Sequence, residues 1–208
     1  MRREEQNMND CNYCVGEIHY HEIIECITAA LDAKDPYTAG HSQRVSDMAM
    51  KVCQLIGLNE DATEQIHIAA HLHDIGKIGV PDAVLNKTDR LTDEEFEHIK
   101  KHPTIGADIL SKSHHLSEVK DIVLSHHERY DGKGYPQGLK AEQIPVGARI
   151  IAICDSIDAM TSTRSYRKAR SYEFCFDEIK KNLGIMYDPI IGQYVLEHWD
   201  EVIAVINE

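Results

Sequence analysis

No apolar run in this chain approaches the roughly 20 residues needed to span a bilayer. The N-terminal stretch MRREEQNMNDCNYC lacks the apolar core of a secretory leader. Both absences make a cytoplasmic location the expectation. Basic charge is scarce: 22 Lys and Arg stand against 35 Asp and Glu, a formal net charge of −13. That balance argues against a surface for nucleic-acid polymers, whose phosphate backbone demands clustered cations. An anionic substrate would need a bound cation or a small local basic cluster. Cys11 and Cys14 form a CxxC followed by His19 and His21, but a second CxxC is missing, so the segment reads as a frayed arm rather than a closed zinc site. The six cysteines (11, 14, 26, 53, 154 and 175) accordingly read as free thiols, not as a disulfide framework. Convincing β-alternation, internal repeats and low-complexity linkers are also absent, so the chain has the makings of one helical domain.

What is present is helical periodicity nearly throughout. Residues 17–34 place Ile23, Ile24, Ile27 and Leu31 on one face, and 41–56 repeat the period through Val45, Met48, Val52, Leu55 and Ile56. Asn59 is the expected N-cap of a helix over 60–77. Thr92 with Glu95 reads as a capping box for 92–101, and Pro103 opens a short helix at its first turn. Helices are further expected over 116–127, from Pro145 through VGARIIAICDSIDAMTS, over 171–183 and over 189–205. Residues 128–144, rich in Gly and Pro, form a loop long enough to suggest function. The fold expected is all-α: a single helical domain over 17–208, with residues 1–16 as a flexible arm.

Thirteen histidines are many for this length, and several fall in short motifs beside Asp. His73-Asp74 lies in AAHLHDIGKIG, and Asp155 in IIAICDSIDAM, both apolar surroundings. An ionised Asp buried there costs several kcal/mol unless it is paired or bound to a metal. A shared divalent metal is the simplest partner. His41, His102, His126 and His127 supply nitrogen ligands, and Asp74 and Asp155 supply hard oxygens. A mixed His/carboxylate set fits iron or manganese better than a tetrahedral structural zinc. Two such ions about 3.5–4 Å apart would suit phosphoryl chemistry. His19, His21, His67, His98, His114, His115 and His198 read as ordinary surface or core residues. His67 and His71 are four apart on one helix, but no Glu follows His67 as in a zinc-protease motif.

Five segments, GHSQRV (40–45), HLHDIGKIGVP (71–81), KHPTIGADIL (101–110), HHERYDGKGYP (126–136) and DSIDAMTSTRSYR (155–167), resemble in this order the HD superfamily of metal-dependent phosphohydrolases. Within it they resemble the HD-GYP subgroup, over roughly residues 20–200. The resemblance implies an HD-type helical bundle. It implies one metal held by His41, His73, Asp74 and Asp155, with Asp74 bridging to a second metal held by His102, His126 and His127. Lys77 would face the scissile phosphate, and Arg164 and Arg167 would contact the rest of the ligand, alongside Tyr135 of the loop. Metals and cations together would make a positive cup in an acidic protein.

The implied activity is hydrolysis of cyclic di-GMP to linear pGpG, and in some members on to GMP, by a metal-bridging hydroxide with Lys77 neutralising charge. Members that carry an acidic ligand four residues before the first His hold a third metal. That position is Tyr37 here, with Asp35 nearby, so two metals and pGpG are expected. Ser165 and Thr163 depart from the common Pro and Asp, which bears on substrate positioning alone. The family usually attaches this domain to sensory or receiver domains, so the chain reads as a stand-alone enzyme or an output domain.

Three rivals stand beside this reading: a hydrolase of 3′,3′-cGAMP, a hydrolase of nucleotides such as (p)ppGpp or dNTPs, and a silent cyclic-dinucleotide receptor. The loop Gly134-Tyr135-Pro136 is a candidate docking site for a diguanylate cyclase, and the apolar first helix a candidate homodimer seam. Gly132, Gly134 and Gly138 are expected to permit positive φ. Glu128 and Asp131 are candidates to brace the ligand imidazoles.

Overall fold

A computed structural model describes residues 21–35, 39–163 and 168–206. The expected arm over 1–16 with its CxxC, and also Tyr37, Arg164, Ser165 and Arg167, lie outside the described residues. Helix α1 runs over 21–34. It is followed by α2 (His41–Leu55), α3 (Glu60–Leu72), α4 (Asp82–Leu85), α5 (Asp93–Ile99), α6 (His102–Leu110), α7 (Lys120–Ser125), α8 (Val146–Thr161), α9 (Tyr172–Lys181), α10 (Pro189–Glu197) and α11 (Trp199–Ala204). Short 3-10 turns occupy Ile75–Gly79, Leu116–Glu118 and Ala141–Gln143. The expected all-α class is observed: the described residues hold no strand beyond one isolated bridge, Leu183 to Tyr187. No helix among them is long and apolar enough to cross a membrane.

The helix starts follow their caps. Asn59 accepts the amide of Ala62 at 2.8 Å, and Thr92 with Glu95 closes a reciprocal capping box. Asp188 accepts the amides of Ile190 and Ile191 and ties α10 to Arg149 of α8. Helix α8 is the central post. Ile150, Ile151, Ile153, Cys154 and Ile157 are buried along it, against Val45, Met48, Ala49, Val52 and Cys53 of α2. Fully burying one such aliphatic side chain is worth roughly 1.5–3 kcal/mol. This core can therefore hold several buried polar groups at the ends of the surrounding helices.

Three expected helices are broken in the structure. The helix expected over 60–77 ends at Leu72, and the chain tightens into the 3-10 turn from Ile75. The reason is the approach of α6. A Cβ on Gly76 would lie 1.8 Å from the carbonyl oxygen of His102 and 2.6 Å from the amide of Gly106. Only glycine lets the two backbones meet there. The segment 116–127 divides into a 3-10 turn and α7. The helix expected over 189–205 breaks at His198 (φ −113°, ψ 29°), beyond which the Trp199 ring meets Phe176 edge-on.

Candidate metal centre

The seven expected ligands come from five places in the chain. His41 begins α2, His73 and Asp74 follow the last turn of α3, and His102 begins α6. His126 and His127 follow α7, and Asp155 projects from the middle of α8. They converge as two triads, His41/His73/Asp155 and His102/His126/His127, with ligand atoms inside each lying within 4.8 Å of one another. Asp74 joins them. Its Oδ1 is 3.3 Å from His102 Nε2, while its Oδ2 is 3.5 Å from His73 Nε2 and 3.9 Å from His41 Nε2. One carboxylate oxygen thus faces each triad.

The outer nitrogens explain how the rings are aimed. His73 Nδ1 meets the carbonyl of Ala70 at 2.7 Å, His102 Nδ1 that of Ile99 at 2.7 Å, and His126 Nδ1 that of Val123 at 2.6 Å. A carbonyl only accepts, so each Nδ1 carries a proton, and in the neutral tautomer the inward Nε2 holds the lone pair. In each case the carbonyl lies three residues before the ring. His41 uses a carboxylate instead: its Nδ1 is 2.6 Å from Asp158 Oδ2, and Arg44 holds that carboxylate from the other side. Such outer partners fix ring orientation and raise ligand basicity at metal sites. His73 Nε2 is buried with no hydrogen-bond partner among the described residues. An orphaned inward lone pair beside two carboxylates is what a divalent cation would satisfy, so the residues fit the expected metals.

The electrostatics agree. Burial opposes ionisation of Asp74, yet Lys77, His73, His102 and His41 outweigh it and hold the carboxyl well below its usual range. Asp155 is likewise held down, against burial, mainly by His41. Burial, reinforced by His127, His73 and His102, keeps His126 neutral, and burial with His102 brings His127 to about 4. Neutral imidazoles are the form a metal requires. His41 differs: burial lowers its pKa, but hydrogen bonds to Asp155 and Asp158 prevail and raise it to about 9. Without a cation it stands as an imidazolium between two carboxylates.

Lys77 Nζ lies 2.7 Å from Asp74 Oδ2 and 3.4 Å from Asp35 Oδ2. Side chains three apart eclipse in a 3-10 turn, which stacks Lys77 on Asp74. Both line a cleft of about 720 Å³ whose walls include Arg90, Phe96, His127 and Tyr135. The Tyr135 ring lies over His127, with centroids 4.9 Å apart. Glu128 and Asp131 do not brace imidazoles. Glu128 accepts the amides of Gln137, Gly138 and Leu139, and so organises the loop, while Asp131 pairs with Arg129 at 2.8 Å. Gly132 and Gly138 have positive φ as expected, but Gly134 does not. It is needed for room instead, because a Cβ there would lie 2.3 Å from the amide of Arg129.

Sequence reasoning missed Asp158 and Arg44. The only signal was spacing: each lies three residues after an expected ligand on the same helix, Asp158 after Asp155 and Arg44 after His41. It also set His21 and His67 aside, whereas they meet His71 in a third cluster.

The model of the HD domain family matches residues 25–191. A cyclic di-GMP phosphodiesterase of Thermotoga maritima is 41% identical over 183 residues, which cover 87% of this chain and 50% of that protein. A 3′3′-cGAMP-specific phosphodiesterase 2 of Vibrio cholerae is 36% identical over 186 residues, covering 88% of this chain and 36% of that protein. The chain therefore spans half or less of the length of these relatives. The crystal structure of a cyclic GMP-AMP specific phosphodiesterase of V. cholerae shares the fold, with TM-score 0.66 at 20% identity over 89% of this chain and 53% of that one. The HD domain match, together with the ordered His/Asp segments and the GYP loop, establishes that the chain belongs to the metal-dependent HD-domain family, in its HD-GYP branch.

Proposed function

We propose that this chain is a metal-dependent phosphodiesterase that opens cyclic di-GMP to linear pGpG. The observation that carries the reading is Asp74, with one oxygen toward each triad and Lys77 Nζ 2.7 Å from the second. His41, His73, Asp74 and Asp155 would hold one divalent ion, and Asp74, His102, His126 and His127 the other. The mixed nitrogen and oxygen donors favour iron or manganese. When bound, the ions supply a nucleophilic water at neutral pH and neutralise charge on phosphoryl oxygens.

The rest belongs to the chain. Lys77 carries its positive charge into the cleft, stacked on Asp74, where it offsets charge developing on the phosphate. Tyr135 lies over the His127 ring on the cleft wall. Arg90 on the cleft wall suits the second phosphate of a cyclic dinucleotide, a role that Arg164 and Arg167 would share. The cleft, about 720 Å³, lies within the usual size range of small-ligand pockets. The substrate assignment is supported by the relatives' names, which include both cyclic di-GMP and 3′3′-cGAMP.

The test is anaerobic loading with ferrous iron or manganese, addition of each cyclic dinucleotide, and chromatography of products over time. The reading expects pGpG from cyclic di-GMP, abolished in Asp74→Ala. Faster turnover of 3′,3′-cGAMP would reassign the substrate, and binding without cleavage by metal-loaded protein would replace the enzyme with a receptor.

A further inference from the structure

The third histidine cluster lies outside the centre just described. His67 and His71 are one turn apart on α3, and His21 reaches them from the start of the described part of α1. Their ligand nitrogens all lie within 4.8 Å of one another. His21 Nε2 and His67 Nε2 face each other at 3.1 Å. The outer nitrogens of these two rings are already engaged. His21 Nδ1 is 3.3 Å from the carboxylate of Glu25, and His67 Nδ1 is 2.7 Å from the hydroxyl of Ser46. Ser46 can give its own proton to the His67 carbonyl at 3.3 Å, which leaves Nδ1 of His67 as the donor and turns its Nε2 lone pair toward His21 Nε2. The tautomers that a metal would select are thus favoured by their neighbours, as with the rings of the main centre.

The independent observation is His71. It is 1% exposed, and neither ring nitrogen has a hydrogen-bond partner among the described residues. Polar groups so buried are ordinarily satisfied. An apolar residue of similar size would fill that space without the cost, unless the ring serves a ligand.

We propose that His21, His67 and His71 form a zinc site, separate from the HD centre, that clips α1 to α3. Three imidazoles suit zinc, which is held by three histidines in known open sites, and they offer none of the carboxylate oxygens that manganese favours. His21 is exposed, so the fourth tetrahedral position opens to water. The clip has a structural consequence. Helix α1 leads directly to Asp35, whose carboxylate lies 3.4 Å from Lys77 Nζ in the cleft. Holding α1 against α3 therefore holds one wall of the main site.

The experiment uses the manganese-loaded chain titrated with Zn2+ against a chromophoric chelator, with both metals counted per chain. The variants are His21→Gln, which alters an exposed ring, and His67→Ala; neither residue belongs to the main centre. Wild type should take up one Zn2+ per chain while retaining its manganese, with a rise in Tm. Each variant should weaken that uptake by tenfold or more. Equal zinc uptake by wild type and His21→Gln, or zinc entering only as manganese leaves, would overturn the site. Either result leaves the phosphodiesterase reading to its own assay.

Discussion

Lys77 Nζ lies 2.7 Å from Asp74 Oδ2, three residues along one 3-10 turn. The ammonium pairs with the carboxylate that faces both triads, and Lys77 also lines the cleft. It is therefore placed to act on substrate without being a ligand. Replacing Lys77 by Met should leave metal content unchanged and lower kcat by about 10²–10³-fold, the range seen when one transition-state donor is removed. Metal analysis beside single-turnover rates checks this. A proportional loss of metal would make Lys77 a structural counter-charge to Asp74 instead.

Asp158 acts through His41, whose Nδ1 it holds at 2.6 Å. Asp158→Asn retains the shape but offers one carbonyl oxygen in place of a carboxylate. Metal affinity at the His41 triad should fall by about 10–100-fold, as for other outer-shell partners of metal-bound histidines. Chelator titration reads the loss, and restoring activity with excess metal would confirm that the defect is in affinity. Since Arg44 shares this carboxylate, Arg44→Lys should give a smaller change in the same direction.

Gly76→Ala forces a Cβ into the His102 carbonyl, 1.8 Å away, with backbone on both sides. No side chain can swing aside to make room. The expected cost is about 3 kcal/mol or more, with loss of the Asp74–His102 proximity even if the protein still folds. Urea unfolding in chelator measures the first effect and metal stoichiometry the second.

The metal-free protein should be most stable near pH 6.5. His127 and His71 have folded pKa values lowered by burial to about 4, below their unfolded value near 6.5. Across that window the unfolded state binds more protons, so stability is lost as pH falls. His41 is raised to about 9 by Asp155 and Asp158 despite burial, so its contribution is complete below 6.5 and lost as pH rises through 9. Urea midpoints from pH 4 to 9.5 in chelator test both limbs. Bound metal replaces the His41 proton and should remove the alkaline limb, whereas a midpoint still rising at pH 9 without metal would contradict the His41 assignment.

The residues of the two triads and Asp74 were legible as candidate ligands because several sit in short motifs where an acid or histidine meets apolar neighbours, as with His73-Asp74 and Asp155. The helix starts at Asn59 and Thr92 were legible because capping is local chemistry. What escaped was long-range. Nothing near Gly76 announces that α6 will press on it, so the break after Leu72 could not be read from periodicity. Glu128 and Asp131 were placed near the imidazoles by proximity in sequence, while the loop's own amides claimed one and Arg129 the other. His21 and His67 lie 46 positions apart, and each alone looks like an ordinary polar residue.

The carbonyls of Ala70, Ile99 and Val123 each belong to the final turn of a helix, where the backbone runs out of intrahelical donors. His73, His102 and His126 supply those missing donors with Nδ1, on the ring edge turned away from the centre. Each imidazole is therefore a helix terminator as well as a candidate ligand. An alanine at any of the three would both vacate a candidate coordination position and fray a helix end, whereas Asp155→Asn, in the middle of α8, would alter the centre and its pairing with His41 while leaving the helix ends capped. Comparing the two kinds of knockout by circular dichroism would separate the chemistry of the centre from the carpentry that holds it.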